Sequence, residues 1–408
     1  MTVTNAALGE SAARTPETTL REVVEHLAPI EKGAGSEGER EAAEWIVERL
    51  GAAGASGRVD EERYLHGWAP TIGKLSALGA LAGLAGLTRR GRALGVAGGV
   101  AAAGLIADDL SNGLRPARRA LEGERTTWNA VAEAGDPDAE RTVVVLAHHD
   151  AAHTGKIFES PLQPWLVDRF PGIVERVDTS LPQWWPVVGA PALVALGAAT
   201  GRRGLIATGT ALAATAAAAM ADIASSPVVP GANDNLSAVA VLVALAEALH
   251  ERPVKGVRVV LASVGAEEVL QGGVHGFARR HLAPLDRERT WVIVPDTVGS
   301  PGLIMLEGEG PMVMEDYYDR SFRDLIARVA EREGVPLRRG MRSRFSTDAV
   351  IPSRMGIPTV AFASMDRNKA LSNYHLPSDT PENLRYPTVA LATDLVEAVV
   401  RELAPPSA

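Results

Sequence analysis

The chain has 408 residues, no cysteine and a formal net charge of −9. That length admits one large core or two domains. The acidic balance excludes a protein that works by neutralising nucleic-acid phosphates, and the missing thiols exclude disulfides and thiolate metal sites, so any bound metal must be held by histidine and carboxylate.

Residues 1–17 are polar and rich in Thr and Ala, and read as a flexible N-terminus with no cleavable export signal. A single domain is expected over 18–408. Thr18 to Pro29 and Glu37 to Leu50 read as amphipathic helices, the second with Ala42, Ala43, Trp45, Ile46 and Leu50 on one face. Gly51 to Gly57 stops it, and Arg58 to Tyr64 suits a strand.

Composition then changes. Two blocks, 70–112 and 184–224, are mostly Ala, Gly, Leu and Val. Thr88-Arg89-Arg90-Gly91-Arg92 breaks the first, and Gly201-Arg202-Arg203-Gly204 the second. Each reads as an apolar helical hairpin with a basic tip, with arms of roughly 14 to 19 residues, at or just below the length that spans a bilayer. Trp68 precedes the first hairpin and Trp184-Trp185 opens the second. Tryptophan at the base and arginine at the tip is the pattern of an interfacial belt with positive-inside loops. The expectation is a multi-pass membrane segment with the rest of the chain extracytoplasmic; the alternative is a soluble chain whose hairpins form a four-helix lid. Lys74 and Asp222 inside the runs favour the alternative.

The remainder alternates strands and helices. Thr142–Ala147, Val257–Ala262, Trp291–Val294 and Pro358–Phe362 are short β-branched or apolar runs. Leu236 to His250, Ser321 to Arg332 and Thr388 to Leu403 are helical. An α/β fold follows: a mostly parallel mixed sheet with helices on both faces, interrupted by the two hairpins. Sites in such sheets lie past the carboxyl ends of strands.

Those positions carry metal-binding side chains. His148-His149-Asp150 follows the first of these runs, Glu267-Glu268 the second and Asp296 the third, and His375 lies beyond the last. Asp234 sits in Gly231-Ala-Asn-Asp-Asn-Leu-Ser237, where a loop becomes an apolar helix. Alone it is best read as a helix cap. With the others it makes five ligands, His148, Asp234, Glu268, Asp296 and His375, which suit two Zn²⁺ ions sharing a bridging carboxylate. Asp150 and Asp379 stand near His148 and His375 in sequence and can orient them. Glu267, next to a ligand but free of the metal, suits a general base. The other histidines read as structural or surface groups, with His149 and His153 near enough to touch a substrate.

The order of these motifs resembles the zinc aminopeptidase and glutamate carboxypeptidase superfamily, metallopeptidase family twenty-eight. His148-x-Asp150, Gly231–Ser237, Glu267-Glu268, Asp296 and Tyr374-His375-x-Pro377-x-Asp379-Thr380 carry the resemblance, with Gly35–Arg40 in support. It covers about 18–66, 125–155 and 229–403 and leaves out the hairpins. It implies that His148, Asp234 and Asp296 bind one zinc, that Asp234, Glu268 and His375 bind a second, and that Glu267 is the catalytic base, with Asp150 part of the catalytic machinery. It also implies a cis Asp234–Asn235 peptide, and a substrate pocket near Tyr374 and the Ser346-Thr347-Asp348 loop. Ala238, where glycine is usual, and Val269-Leu270-Gln271-Gly272-Gly273 depart from the family pattern. The activity implied is removal of N-terminal residues from peptides. A carboxypeptidase or dipeptide hydrolase, using Arg342 or Arg344 to hold a carboxylate, is the alternative, as is a non-catalytic membrane receptor or scaffold.

Overall fold

The computed structural model describes residues 13–174 and 176–405, so most of the expected flexible N-terminus lies outside the described residues. Its last part is tethered: the backbone N–H groups of Arg14 and Thr15 donate to the Asp394 carboxylate at 2.7 and 3.1 Å.

Among the described residues one nine-stranded mixed sheet organises the chain. Its strands are β1 (Ser56–Leu65), β2 (Glu124–Gly135), β3 (Arg141–His148), β4 (Val257–Val264), β5 (Thr290–Pro295), β6 (Gly302–Glu309), β7 (Glu315–Asp316), β8 (Arg338–Ser343) and β9 (Thr359–Met365). The order is β1-β2-β4-β3-β5-β9-β6-β7, with β8 pairing β6. β4, β3, β5 and β9 are mutually parallel and form the centre. β3 is buried at every position after Arg141 except for intermediate exposure at that first residue, as expected of a strand covered on both faces. The sequence reading passed over β2, β6, β7 and β8.

Helices Glu17–Leu27, Glu37–Ala52, Ser237–Glu251 and Tyr386–Leu403 share a large apolar core with one face of the sheet. Ser237–Glu251 has apolar side chains on nearly every face because it is enclosed on nearly every face. A second core lies on the opposite face, around Phe277, Ile304, Ile351 and Ile357.

The apolar blocks are two helical hairpins: Trp68–Gly86 with Arg92–Leu110, and Trp185–Thr200 with Arg203–Ser225. They pack together as one four-helix unit, Trp68–Gly86 against Arg203–Ser225 and Arg92–Leu110 against Trp185–Thr200. A small separate core at their base contains Ile72, Leu75, Ile106, Leu110, Met220 and Ile223. Trp68 and Trp184 meet edge to face there, with ring centroids 5.6 Å apart. Lys74 pairs with Glu122 at 2.6 Å, and Asp222 accepts the Lys156 N–H at 2.8 Å, so both charges within the runs are satisfied at the base end.

One ion pair clamps this unit to the turn that follows β4. Arg118 is fully buried, bonded through its guanidinium to both Asp109 oxygens, and its Nη1 donates to the Val269 carbonyl at 2.8 Å. A buried charge stripped of its partner is expensive. Asp109→Leu alone is therefore expected to destabilise the chain by about 3–5 kcal/mol. Asp109→Leu with Arg118→Met should recover most of that loss; equal losses in thermal or denaturant unfolding would show that the pair does not act as a unit.

Candidate metal centre

The register of the parallel strands sets the site. Val145 pairs Ile293, so His148 and Asp296 each lie three residues further on and leave the sheet at one level. His148 pairs Val264, the last residue of β4, and Glu267-Glu268 follow at once. Asp234 comes from the loop before Ser237–Glu251, and His375 from the connection after β9.

The sequence-predicted donors converge. His148 Nε2 is 3.4 Å from Asp234 Oδ1 and 3.9 Å from Asp296 Oδ2. His375 Nε2 is 3.3 Å from Asp234 Oδ2 and 3.1 Å from Glu268 Oε2. Among the described residues three groups have metal-binding spacing, His148/Asp234/Asp296, Asp234/Glu268/His375 and His148/Glu267/Glu268, and Asp234 offers one oxygen to each of the first two. Glu267 Oε2 lies 4.0 Å from His148 Nε2, at the edge of the cluster. The Asp234–Asn235 peptide is cis.

These donors fit metal ions. Nε2 of His375 and Oε1 of Glu268 are buried with no hydrogen-bond partner, which is costly unless something else satisfies them. With only protons to balance the charge, the cluster titrates abnormally. Burial pushes Glu268 up to about 7, with Asp234 adding to it. Burial also raises Glu267 well above the usual range, helped by Asp348, Glu268 and Asp296. His375 rises to about 10: burial opposes its charge, but Glu268 and Asp234 outweigh that. Asp234 is held below the carboxylate range against burial, by His148 and His375. A crowded, buried, acidic pocket of this kind is one that divalent cations neutralise.

The surrounding polar groups hold the loops more than the imidazoles. Asp150 accepts the backbone N–H groups of Glu267 and Glu268 at 2.9 and 3.0 Å, while His148 Nδ1 lies 3.2 Å from the Asp150 carbonyl and 3.5 Å from its carboxylate. Asp379 was expected beside His375; instead it accepts the N–H groups of Asn233 and Asp234 at 2.8 and 3.1 Å and so fixes the Asp234 loop. Three contributors escaped the sequence reading. Lys32 is fully buried, donates to the Pro230 carbonyl, and has a pKa of about 8, lowered by burial against the pull of Asp379 and Asp150. Glu39, the N3 residue of a helix capped by Ser36, turns its carboxylate inward to Ala266 N and Thr127 Oγ1 at 2.8 and 3.0 Å. A capping-box pattern, Ser36-x-x-Glu39, was the available signal, but it pointed to helix capping. Gly265 lies against that carboxylate; a Cβ there would stand 2.5 Å from Glu39 Oε1.

Gln271 is the third. It is buried, donates to Glu267 Oε1 and to the Ser346 carbonyl, each at 2.8 Å, and accepts from Asn112 Nδ2 at 2.6 Å. Non-glycine residues with left-handed backbone cluster here: Ala266, Leu270, Gln271, Thr297 and His375 have φ between 53° and 67°. Such strain concentrates at functional sites.

Tyr374 stacks on His375 with ring centroids 3.8 Å apart, and Phe158 meets the same imidazole at 4.7 Å. Phe345 lies 5.7 Å from Tyr374, so three aromatic rings line one side of the cluster. Asp348 is buried near Glu267 with neither carboxylate oxygen hydrogen-bonded. Arg342 is engaged by Asp316 at 2.7 Å and Arg344 lies over the Trp185 ring, 5.1 Å from its centroid. His149 bonds Ser263 at 3.0 Å in the interior, and His153 faces the Ser226 carbonyl.

Sheet, helix layers and strand-end cluster together define a zinc-exopeptidase-like fold. Residues 213–400 match the model of peptidase family M28, which bears out the resemblance read from the motifs and takes in every donor except His148. Among solved structures, the chain is similar to the aminopeptidase from Aneurinibacillus sp. strain AM-1, at 16% identity and TM-score 0.55 over 97% of this chain and 95% of that one. It is similar to BSAP, a zinc aminopeptidase from Bacillus subtilis, at 14% identity and TM-score 0.55 over 96% and 95%. A Bacteroides thetaiotaomicron glutaminyl cyclase matches at 11% identity and TM-score 0.55 over 95% and 99%. At these identities the likeness is one of fold. No curated protein matches the chain. The family match supports a zinc-dependent metallopeptidase.

Because Asp379 holds the Asp234 loop through two N–H groups, Asp379→Ala is expected to weaken zinc binding about 10- to 100-fold, as loss of an outer-shell partner does. Competition with a chelator would measure it; unchanged affinity would show that the loop holds itself.

Proposed function

We propose that the chain is a co-catalytic di-zinc aminopeptidase. The observation that carries this reading is the sharing of Asp234 between two donor groups that are each complete without Glu267, which stands beside them and groups with His148 and Glu268. His148, Asp234 and Asp296 would hold one ion, and Asp234, Glu268 and His375 the other. Zinc there supplies two things: a water acidified towards neutrality and a Lewis acid for the scissile carbonyl.

The chain's own groups do the rest. Glu267 takes a proton from the attacking water and returns it to the leaving amine. Burial and neighbouring carboxylates make it a willing proton acceptor, and Gln271 holds one of its oxygens. The acidic character of the pocket, with Asp348 and Asp296 close by, favours a free α-ammonium at the substrate end. Tyr374, Phe158 and Phe345 offer an apolar wall to the first side chain.

An N-terminal over a C-terminal substrate is favoured by the arginines. A carboxypeptidase needs a free cation for the α-carboxylate, and Arg342 is already paired with Asp316 while Arg344 is stacked on Trp185. Cyclisation of N-terminal glutamine, as in the named cyclases of similar fold, is disfavoured because both donor groups are complete. The full set of donors also weighs against a receptor without catalysis.

Glu267→Gln is expected to lower kcat by about 10²- to 10⁴-fold while zinc content stays at the wild-type level. Aminoacyl anilides, C-terminal glutamyl peptides and N-terminal glutaminyl peptides, assayed side by side, should show turnover of the first class. Activity within a few-fold of wild type in Glu267→Gln would remove the base from the account.

A further inference from the structure

We infer that the four-helix insert is embedded in a phospholipid bilayer and crosses it, with the arginine tips on the face opposite the peptidase domain. The insert is inside out relative to a soluble bundle. Above the apolar core at its base, its helices meet largely through small residues at close approach, alongside buried Val194 and Ile206. A Cβ added at Gly83 would collide with Thr210, one at Gly99 would stand 2.6 Å from the Pro191 carbonyl oxygen, and one at Gly209 would stand 2.7 Å from the Ala190 carbonyl oxygen. Many of its large side chains away from that base core point outward: Leu81, Leu84, Leu94, Val100, Leu196 and Leu212 are 42–66% exposed. Water-soluble helices keep such side chains inside and charges outside, whereas small residues at the contacts and large apolar ones towards the solvent is how helices pack in lipid.

Burial separates this surface from a protein core. The apolar stretches of Arg92–Leu110 and Arg203–Ser225 are 33% and 28% buried, while the equally long apolar helix inside the peptidase core is 89% buried. Charge placement supplies the second, independent argument. Trp185–Thr200 carries no charged residue, and the other three helices carry none between the base groups Lys74, Asp108, Asp109 and Asp222 and the tip arginines. Helices of 19, 19, 16 and 23 residues are about 24–35 Å long, which brackets a hydrocarbon core of about 30 Å. Arg89, Arg90, Arg92, Arg202 and Arg203 at one end match anionic headgroups, and Trp68 and Trp184 at the other occupy the opposite interface. The basic ends mark the cytoplasmic side, which places the metal centre outside.

The absence of cysteine permits a clean test. Single variants Leu81→Cys, Val100→Cys, Leu196→Cys, Arg90→Cys and Glu288→Cys of the full chain, all at exposed positions, would be spin-labelled and reconstituted into vesicles of phosphatidylcholine with phosphatidylglycerol. The chain should float with the vesicles after an alkaline wash. Labels at 81, 100 and 196 should be reached by oxygen and not by a water-soluble nickel chelate, and thiols at 90 and 288 should react with an impermeant maleimide from opposite sides. A chain that stays monomeric in buffer without vesicles overturns the proposal. So do mid-helix labels open to the nickel chelate, or labels shielded only by a second copy.

A separate observation assigns Gln271 and Asn112 as positioning residues for Glu267; this rests on the peptidase reading above. Asn112 closes the first hairpin, and its amide fixes that of Gln271, which donates to Glu267 Oε1. Arg115 and Arg118 grip the Leu270 and Val269 carbonyls of the same turn at 2.8 Å. The base of the insert therefore sets where the proton-accepting carboxylate stands. Gln271→Ala and Asn112→Ala should each lower kcat about 10- to 100-fold with KM and zinc content unchanged. In a Glu267→Gln background, Gln271→Ala should remove nothing more. Losses that add in that background, or that track loss of zinc or of thermal stability, overturn this assignment. An active Glu267→Gln chain would instead remove Glu267 as the base on which this assignment rests, and a wild-type chain that cleaves none of the peptide classes would overturn the peptidase reading itself.

Discussion

Everything in this chain is arranged around a buried excess of negative charge. Three carboxylates and two imidazoles meet below solvent, with a fourth carboxylate, Glu267, at their edge. Left to protons, the cluster balances its charge by pairing: His375 is held protonated by Glu268 and Asp234, and Asp234 is held ionised by His148 and His375. Bound cations would take over that balance, which couples metal binding to the native geometry. The surrounding structure answers the same problem a second time. Lys32 sits as a buried cation near Asp150 and Asp379, and both of those carboxylates spend their lone pairs on backbone N–H groups of the ligand-bearing loops.

That logic explains why the site is carried by turns. The segments around Glu268, Asp296 and His375 carry left-handed backbone at non-glycine residues, Ala266, Leu270, Thr297 and His375 itself among them, and the Asp234 loop opens on the left-handed Gly231. Those segments hold their shape because side chains from distant parts of the chain bind their backbone: Glu39 at Ala266, Asp150 at Glu267 and Glu268, Asp379 at Asn233 and Asp234, Arg118 at Val269. The apolar insert enters this network through Arg118 and Asn112. The insert is thereby joined to the turn that carries Glu267.

Much of this was legible in the sequence because strand-end chemistry is local. A β-branched run followed by His-x-Asp, or by Glu-Glu, states both the strand and what its end presents. The parallel register then brings such ends together with no further information. What was not legible depends on long-range contacts. Glu39 looks like half of a capping box, Lys32 like a surface lysine, and Gln271 like filler in a departing motif; each takes its role from a partner 100 or more residues away, or from a turn whose shape no local pattern declares. Asp379 shows the same limit from the other side. Its spacing from His375 suggested an imidazole partner, but the chain between them turns so that the carboxylate meets the Asp234 loop. Strands β2 and β6 owe their burial to tertiary context more than to alternation, while β7 is two residues long and β8 is exposed or half-buried at all but one position, so neither carries an apolar signal.

The central claim is that Asp234 is shared between two metal ions, and metal stoichiometry tests it most directly. Full chain reconstituted with zinc and freed of loosely bound metal should hold two ions per chain, and Asp234→Ala should lose both sites together. A wild-type chain saturating at one ion or fewer, or an Asp234→Ala chain that keeps one ion at wild-type affinity, would contradict the account.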